Sequence, residues 1–146
     1  MLLGFLEGYD VDARGRKLHE IWEFSDNQIE STHDFIQWLF PLTEPSQAQP
    51  DAPVLDAEEI PLIRASALAS KNMKFSADWY LGFLMRNKHW IARYNHNHLR
   101  ITRVIKSLRL LVSSSDADTF RIECIELAGH DFSTVAPNAF RFWENA

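Results

Sequence analysis

The chain has very little cysteine and glycine and no long uncharged hydrophobic run, and each shortage excludes a class of protein. Cys124 is the only cysteine, which excludes an intramolecular disulfide and a multi-cysteine zinc site. The five glycines are wrongly spaced for a phosphate-binding loop, and neither Gly-Lys-Ser/Thr nor Gly-x-Ser-x-Gly occurs. No segment approaches the roughly 20 apolar residues of a membrane span. We therefore expect a soluble protein of the cytoplasm.

The composition instead favours one compact domain with a core of large rings. Of the 146 residues, 46% are hydrophobic and 12% are aromatic, which is sufficient for an independent core. The net charge is −5, and acidic and basic residues are distributed along the whole chain. A globally acidic chain is not expected to bind nucleic acid, although a local basic patch is compatible with this composition.

The spacing of apolar residues predicts an all-α fold, a single compact domain over residues 1–146 with about six to seven helices. Ser31, Ser66 and Asn97 are the expected N-caps, and Gly129 suits a left-handed C-cap. Four of the six prolines lie in 41–53, which predicts a long proline-rich loop. The predicted helices cover 16–24, 32–40, 56–64, 67–86, 98–113, 117–128 and 137–143.

The helix predicted over 67–86 carries two adjoining apolar stripes, which indicates a central helix contacted from two sides. The first stripe is Leu68, Phe75, Trp79 and Phe83, and the second is Met73, Tyr80 and Leu84. We expect the Phe75 and Trp79 rings to be buried, so that truncating either to alanine costs about 3–5 kcal/mol.

Two segments combine large apolar side chains with imidazoles, amides and guanidinium groups: HDFIQWLFPL over 33–42 and NHNHLRITR over 95–103. Such polar groups must find partners in the fold or form a binding surface. We expect the two segments to be in contact, with Arg100 either holding an anionic group of a ligand or pairing with Asp34 or Glu30. The candidate binding residues are His33, Gln37, Trp38, Trp90, Asn95, His96, His98 and Arg100.

Each candidate also has a structural interpretation. The histidines could ligate a metal with Asp34 or Glu30, but their spacing matches no known ligand pair, so capping of helices and loops is preferred and no metal or cofactor is expected. Gln37 is better explained as a tether for the proline loop than as a ligand contact. The bases Arg93, Arg100, Arg103, Lys106 and Arg109 fan across the polar half of one helix and indicate a solvated face, and Cys124 indicates a buried thiol.

The two segments resemble the signatures of the opioid growth factor receptor conserved domain, and the order of features resembles that family over 18–112. The matching features are Trp22 and Asp26, HDFIQWLFPL, a Pro/Ser loop, Trp90, and NHNHLRITRVIKSL. The resemblance implies a mainly helical intracellular domain. In animals the namesake is a receptor for an enkephalin peptide, associated with the nucleus and with restraint of cell growth. This chain is expected to be a short, stand-alone microbial member, and the resemblance implies no catalytic residues.

Three functional hypotheses follow. The first is a non-enzymatic helical binding module for a peptide or small anionic ligand, or for a protein partner, with Trp38 and Trp90 supplying apolar contact. The second is an enzyme that uses His33 or His96 as general base and Arg100 to bind an anionic group. The third treats both segments as purely structural. If an imidazole helps hold an anion, affinity should fall as pH rises through roughly 6–7. The sequence predicts no oligomeric state.

Overall fold

The computed structural model describes residues 1–129 and 134–146, and this part of the chain is all-α, as expected. It contains nine α-helices and one short 3-10 helix, more than the expected six to seven because several short helices lack a strong periodic pattern. The helices are α1 (Leu2–Leu6), α2 (Leu18–Ile21), α3 (Asp26–Ser31), α4 (Ile36–Leu39), α5 (Glu59–Ala65), α6 (Ala67–Arg86), the 3-10 helix Lys88–Trp90, α7 (Asn97–Leu111), α8 (Ser114–Leu127) and α9 (Pro137–Asn145).

The helices pack around one hydrophobic cluster, in which α6 and α7 are central. Helix α7 has one continuous apolar stripe whose side chains are fully or almost fully buried: Ile101, Val104, Ile105, Leu108 and Leu111. The largest buried rings come from several elements and meet in the same core. These buried residues include Phe5, Phe35, Phe40, Tyr80, Phe83, Trp90, Ile101, Val104, Ile105, Leu108, Leu111 and Trp143.

The bounds predicted for α6 are confirmed, and the second predicted stripe is buried as expected, whereas the first is fully buried only at Phe83. The Ser66 side chain caps the helix by accepting a hydrogen bond from the Ala69 amide at 3.1 Å. Phe75 is 52% exposed, because its ring lies against Trp22 at the surface with centroids 4.3 Å apart. Trp79 is only partly buried. The expectation of a buried Phe75 is therefore wrong. The buried face consists of Ala69, Met73, Ser76, Ala77, Tyr80, Leu81, Phe83 and Leu84.

The single helix predicted over 32–40 is also wrong. Ser25 and Gln28 form a capping box that starts α3 at Asp26, earlier than the Ser31 cap proposed from the sequence. Ser31 is the last residue of α3, and Thr32 is extended. Helical structure resumes only at α4, a single turn that ends before Pro41, since the residue before a proline avoids helical dihedrals.

The proline-rich segment over 41–53 is a loop, as predicted. The first residue of the loop is hydrogen-bonded to α7. The Ser107 hydroxyl donates a hydrogen bond to the Pro41 carbonyl at 2.8 Å. At the far end, the Leu55 amide donates to the Leu42 carbonyl at 2.8 Å. These contacts hold the loop beside α7, where it forms one wall of the cleft described below.

The C-terminal helices close the other side of α7. Gly129 adopts the expected left-handed conformation after α8, with a φ of 74°. Pro137 begins α9, also as expected, and Trp143 of that helix is fully buried. Its indole Nε1–H donates to the His98 carbonyl at 3.1 Å, which ties α9 to the start of α7. Within the described residues, no helix is long and apolar enough to cross a membrane.

Candidate functional site

The two signature segments meet in the folded protein, which confirms the predicted contact. The His33 and His96 rings pack edge to face with centroids 5.5 Å apart. Arg100 of the second segment reaches the backbone of Thr32, just before His33. The start of α7 is thereby placed against the end of α3 and the turn that precedes α4. The polar side chains of both segments share one junction.

Arg100 organises this junction from a buried position, but its partners differ from those predicted. One terminal nitrogen donates to the Ile29 carbonyl and the other to the Thr32 carbonyl, each at 2.8 Å. The guanidinium also lies over the Phe35 ring, 5.2 Å from its centroid. Arg100 is only 6% exposed, so it ties the end of α3 to α7 and is not a free cation. The predicted pairing with Asp34 or Glu30 is therefore wrong.

The two carboxylates proposed for Arg100 have other partners. Asp34 pairs with Arg14 and Arg16, each at 3.0 Å. Glu30 lies between two imidazoles. Its Oε1 is 2.6 Å from His96 Nε2, and its Oε2 is in close contact with His89 Nε2.

Partial burial, followed by the nearby Arg100 charge, lowers the pKa of His96, and the Glu30 carboxylate acts in the opposite direction. His96 is therefore less easily protonated than a free histidine. Within residues 1–129 and 134–146, no three His, Cys, Asp or Glu side chains are arranged to hold a metal ion.

Three further candidates serve the local fold. The Asn95 side chain accepts a hydrogen bond from the Asn97 amide at 2.9 Å just before α7, whose N-cap position is His96 and not Asn97 as predicted. His98 is buried, and its Nε2–H donates to the Trp90 carbonyl at 2.8 Å. Trp90 is fully buried, and its indole donates to the Leu84 carbonyl at 2.8 Å. Trp90 therefore presents no exposed ring surface.

Trp38 lies apart from the junction. Its ring packs edge to face on Phe5, with centroids 5.3 Å apart, and it lines a separate small depression together with Arg14 and Asp34. The sequence left open whether Trp38 would be buried or presented to a partner. The side chain is partly buried and takes part in packing α4 against α1.

An open cleft of about 530 Å³ lies between the junction, the proline loop and α7, and this volume falls within the range of small-ligand sites. Four of the eight candidates line it: His33, Gln37, His96 and Arg100. The remaining lining is apolar on the α4 side, polar along the loop and basic along α7. These residues are Ile36, Leu42, Pro45, Ser46, Gln47, Ala48, Gln49, Leu99, Thr102, Arg103 and Lys106.

Gln37 lines the cleft with an unsatisfied acceptor. Its side-chain nitrogen donates to the His33 carbonyl at 3.3 Å, whereas its Oε1 is buried without a hydrogen-bond partner. The predicted tether from Gln37 to the proline loop is not observed. Arg103 supplies a comparable link, since its terminal nitrogen donates to the Phe40 carbonyl at 3.0 Å. A buried acceptor without a partner is uncommon in folded proteins. This wall of the cleft therefore contains an unsatisfied hydrogen-bond acceptor.

The sequence reasoning missed the α7 side of the cleft. Leu99 is 67% exposed and projects at the rim, although α7 otherwise buries its apolar residues. Arg103 and Lys106 were assigned to a solvated face, and both line the cleft. An exposed leucine next to basic residues, one helical turn from a loop contact, is the signal that could have identified this wall.

Comparison with known protein families places most of the chain in one family. The family model of the opioid growth factor receptor conserved region matches residues 11–120, a stretch that contains both signature segments. The chain therefore belongs to the opioid growth factor receptor conserved-region family. The match includes the stretch over which the sequence resembled this family.

The curated relatives are animal opioid growth factor receptors. The rat protein is 29% identical over 105 residues, covering 60% of this chain and 18% of the rat protein. The mouse and human proteins are each 30% identical over 105 residues, which is 16% of the mouse protein and 15% of the human protein. This chain thus spans less than a fifth of the length of these relatives. No solved structure matches it.

Proposed function

We propose that the protein is a non-enzymatic helical binding module that holds a peptide or small anionic ligand in the cleft between the proline loop and α7. The observation that carries this proposal is the open cleft at the junction of the two signature segments. A closed, fully hydrogen-bonded junction would have favoured a purely structural role. The relatives are named as receptors for an opioid growth factor, and reception of a peptide is the property that the proposal extends to this chain.

The chemistry of the cleft suits such a ligand. Ile36, Leu42 and Leu99 offer apolar contact, while Arg103 and Lys106 supply positive charge. Ligand sites commonly combine a largely apolar surface with a few polar groups that fix orientation. The enzymatic alternative has weaker support, because both terminal nitrogens of Arg100 donate to backbone carbonyls and are not directed at a bound anion. Within the junction, Arg100 has the structural role that the third hypothesis gave to both segments.

A pair of leucine variants tests whether the cleft is the site. Leu99→Ser removes an exposed apolar contact at the rim, and Leu62→Ser removes a comparable side chain, 50% exposed, outside the cleft. Short acidic and enkephalin-like peptides are titrated calorimetrically into the wild type and both variants. We expect measurable heats with the wild type and Leu62→Ser and weakened binding with Leu99→Ser. Both variants should keep the wild-type melting temperature, because neither side chain is buried.

Chemical-shift mapping by NMR identifies the surface on which the peptide binds. Peptide addition should shift amide resonances of the proline loop and of the first half of α7, and leave α9 unchanged. Absence of binding by every peptide, or shifts confined to a different surface, would refute the assignment of this cleft. Binding with equal affinity to both leucine variants would refute it as well.

A further inference from the structure

We infer that the cleft binds an acidic peptide segment, whose carboxylate is held by Lys106 and Arg103 in place of Glu44, an acidic residue of the proline loop. This inference rests on the proposed function, because it specifies the ligand of the same cleft. Glu44 is then an internal competitor that a ligand displaces.

The α7 wall of the cleft is positively charged. The chain as a whole carries −5, yet Arg100, Arg103 and Lys106 all line the cleft. The two arginines donate to backbone carbonyls, which satisfy hydrogen bonds but carry no formal charge. Their positive charges are therefore not neutralised by a directly bonded carboxylate. Burial also lowers the pKa of Arg103, which indicates that its charge lacks full solvation at this position.

The internal anion, Glu44, is only weakly paired with this wall. Glu44 Oε2 lies 3.9 Å from Lys106 Nζ, which is too long for a hydrogen bond. The Glu44 side chain is 68% exposed, so water screens its attraction to Lys106. Glu44 sits between the loop residues that line the cleft, on a segment of exposed side chains. A ligand carboxylate can replace it at little cost, because so exposed a pair contributes little to folding.

The cleft also offers surface to the remainder of a ligand, beyond its carboxylate. A single small anion would use Lys106 and Arg103 only, and would leave the apolar surface of Ile36, Leu42 and Leu99 without contact. The loop adds the side-chain hydroxyl and amides of Ser46, Gln47 and Gln49, which can donate to and accept from peptide groups. An acidic side chain flanked by apolar residues in one short segment matches both walls of the cleft.

The experiment uses two synthetic peptides that differ only at their acidic positions: a glutamate-leucine peptide and its glutamine-leucine analogue. The wild type should bind the glutamate peptide more tightly. Lys106→Gln should weaken that binding by up to about fivefold, the scale of one exposed ion pair, and leave the analogue unaffected. Glu44→Gln should tighten binding of the glutamate peptide by about twofold to fivefold, because the internal competitor is removed.

Two matched variants separate local from global charge effects. Glu126→Gln changes the net charge as Glu44→Gln does, at an exposed position of α8 outside the cleft. Lys71→Gln is the matched control for Lys106→Gln, on the exposed face of α6. Neither control should alter the affinity for the glutamate peptide measurably. Equal effects at Glu44 and Glu126, or at Lys106 and Lys71, would overturn the inference, because net charge alone would explain them.

The outcomes also distinguish this inference from the proposed function. Equal binding of the two peptides would overturn the inference that Lys106 and Arg103 hold a ligand carboxylate. The proposal that the cleft binds peptides would remain. Binding of free glutamate as tight as that of the glutamate peptide would overturn the peptide assignment in favour of a small anion. Failure of the wild type to bind any of these probes, with no response in the NMR mapping described above, would remove both proposals together.

Discussion

The guanidinium of Arg100 is hydrogen-bonded to the backbone carbonyl of Thr32, which lies 68 residues earlier in the chain. A second terminal nitrogen of the same side chain reaches the Ile29 carbonyl. Arg100 thus donates hydrogen bonds to backbone carbonyls near the end of α3 and not to an acidic side chain. The junction between the signature segments depends on one planar group with several fixed donors, for which lysine is a poor substitute.

Replacing Arg100 with methionine should lower the free energy of unfolding by about 2–3 kcal/mol, because two buried carbonyls lose a charged donor. Arg100→Lys should recover only part of this loss, because an ammonium group cannot match the geometry of the fork. Urea denaturation followed by circular dichroism measures both. Lys71→Met, at an exposed position, serves as the control and should change stability by about 0.5 kcal/mol or less. A stability equal to that of the wild type in Arg100→Met would show that the junction is dispensable.

The two phenylalanines that the sequence placed on one stripe of α6 should respond differently to truncation. Phe83 is fully buried, so Phe83→Ala should cost about 3–5 kcal/mol. Phe75 is half-exposed against Trp22, so Phe75→Ala should cost about 1 kcal/mol, the scale of one aromatic pair. Denaturation midpoints of the two variants provide the comparison. Similar losses in both would contradict the surface position of Phe75.

Stability should decrease as pH falls through the histidine range, and His98 should contribute to this decrease. Burial lowers the pKa of His98 below its ordinary value of 6.5, with the Trp90 carbonyl bond acting in the opposite direction. The unfolded state therefore binds the proton first as pH falls, so stability is highest above about pH 6.5 and declines below it. Melting temperatures from about pH 8 to about pH 5 measure this decline. His98→Gln should reduce the slope, whereas His19→Gln, at an exposed site, should not.

The affinity of the cleft for an acidic peptide should change little between about pH 6 and pH 7 if Lys106 and Arg103 supply the charge. The sequence had suggested a fall in affinity over this range, from an imidazole that loses its proton. In the structure burial and then Arg100 lower the pKa of His96, so His96 contributes less positive charge over this range than an ordinary histidine would. Titrations at several pH values, with His96→Gln for comparison, measure the effect. A steep loss of affinity in the wild type that is absent from His96→Gln would instead assign the charge to His96.

Cys124 should be unreactive in the folded protein. Its thiol is fully buried, and burial raises its pKa well above the ordinary range, so the nucleophilic thiolate is scarce. A thiol reagent added to the native protein should react at the rate at which the structure opens, and addition of denaturant should speed the reaction sharply. Fast labelling of the fully native protein would contradict the buried position.

Most of the helical architecture could be predicted from the sequence because several boundaries are set locally. Ser66 caps α6, Gly129 follows α8, and Pro137 opens α9, each through the conformational preference of one residue. The error at α3 arose between two competing N-cap signals. The Ser25–Gln28 capping box was stronger than the isolated Ser31, because it satisfies two backbone amides reciprocally.

The candidate site could be predicted only in part, because its contacts are tertiary. The need of buried polar side chains for partners correctly predicted that His33 and Arg100 meet at one junction. The same reasoning predicted a carboxylate as the partner of Arg100, whereas the structure uses backbone carbonyls. Backbone carbonyls are present at every residue, so no sequence pattern distinguishes those that an arginine will reach. Arg103 and Lys106 were missed for a related reason, since only the path of the proline loop makes their side of α7 one wall of a cleft.

The long sequence separation between Arg100 and Thr32 has a consequence for the lifetime of the folded state. Helix α7 can form from local contacts, whereas Arg100 reaches its acceptors only after a loop of 68 residues has closed, at an entropic cost. We expect these hydrogen bonds to form late, after the folding transition state. Interactions that are absent from the transition state affect the unfolding rate more than the folding rate. We therefore expect Arg100 to affect how long the native protein persists more than how quickly it forms.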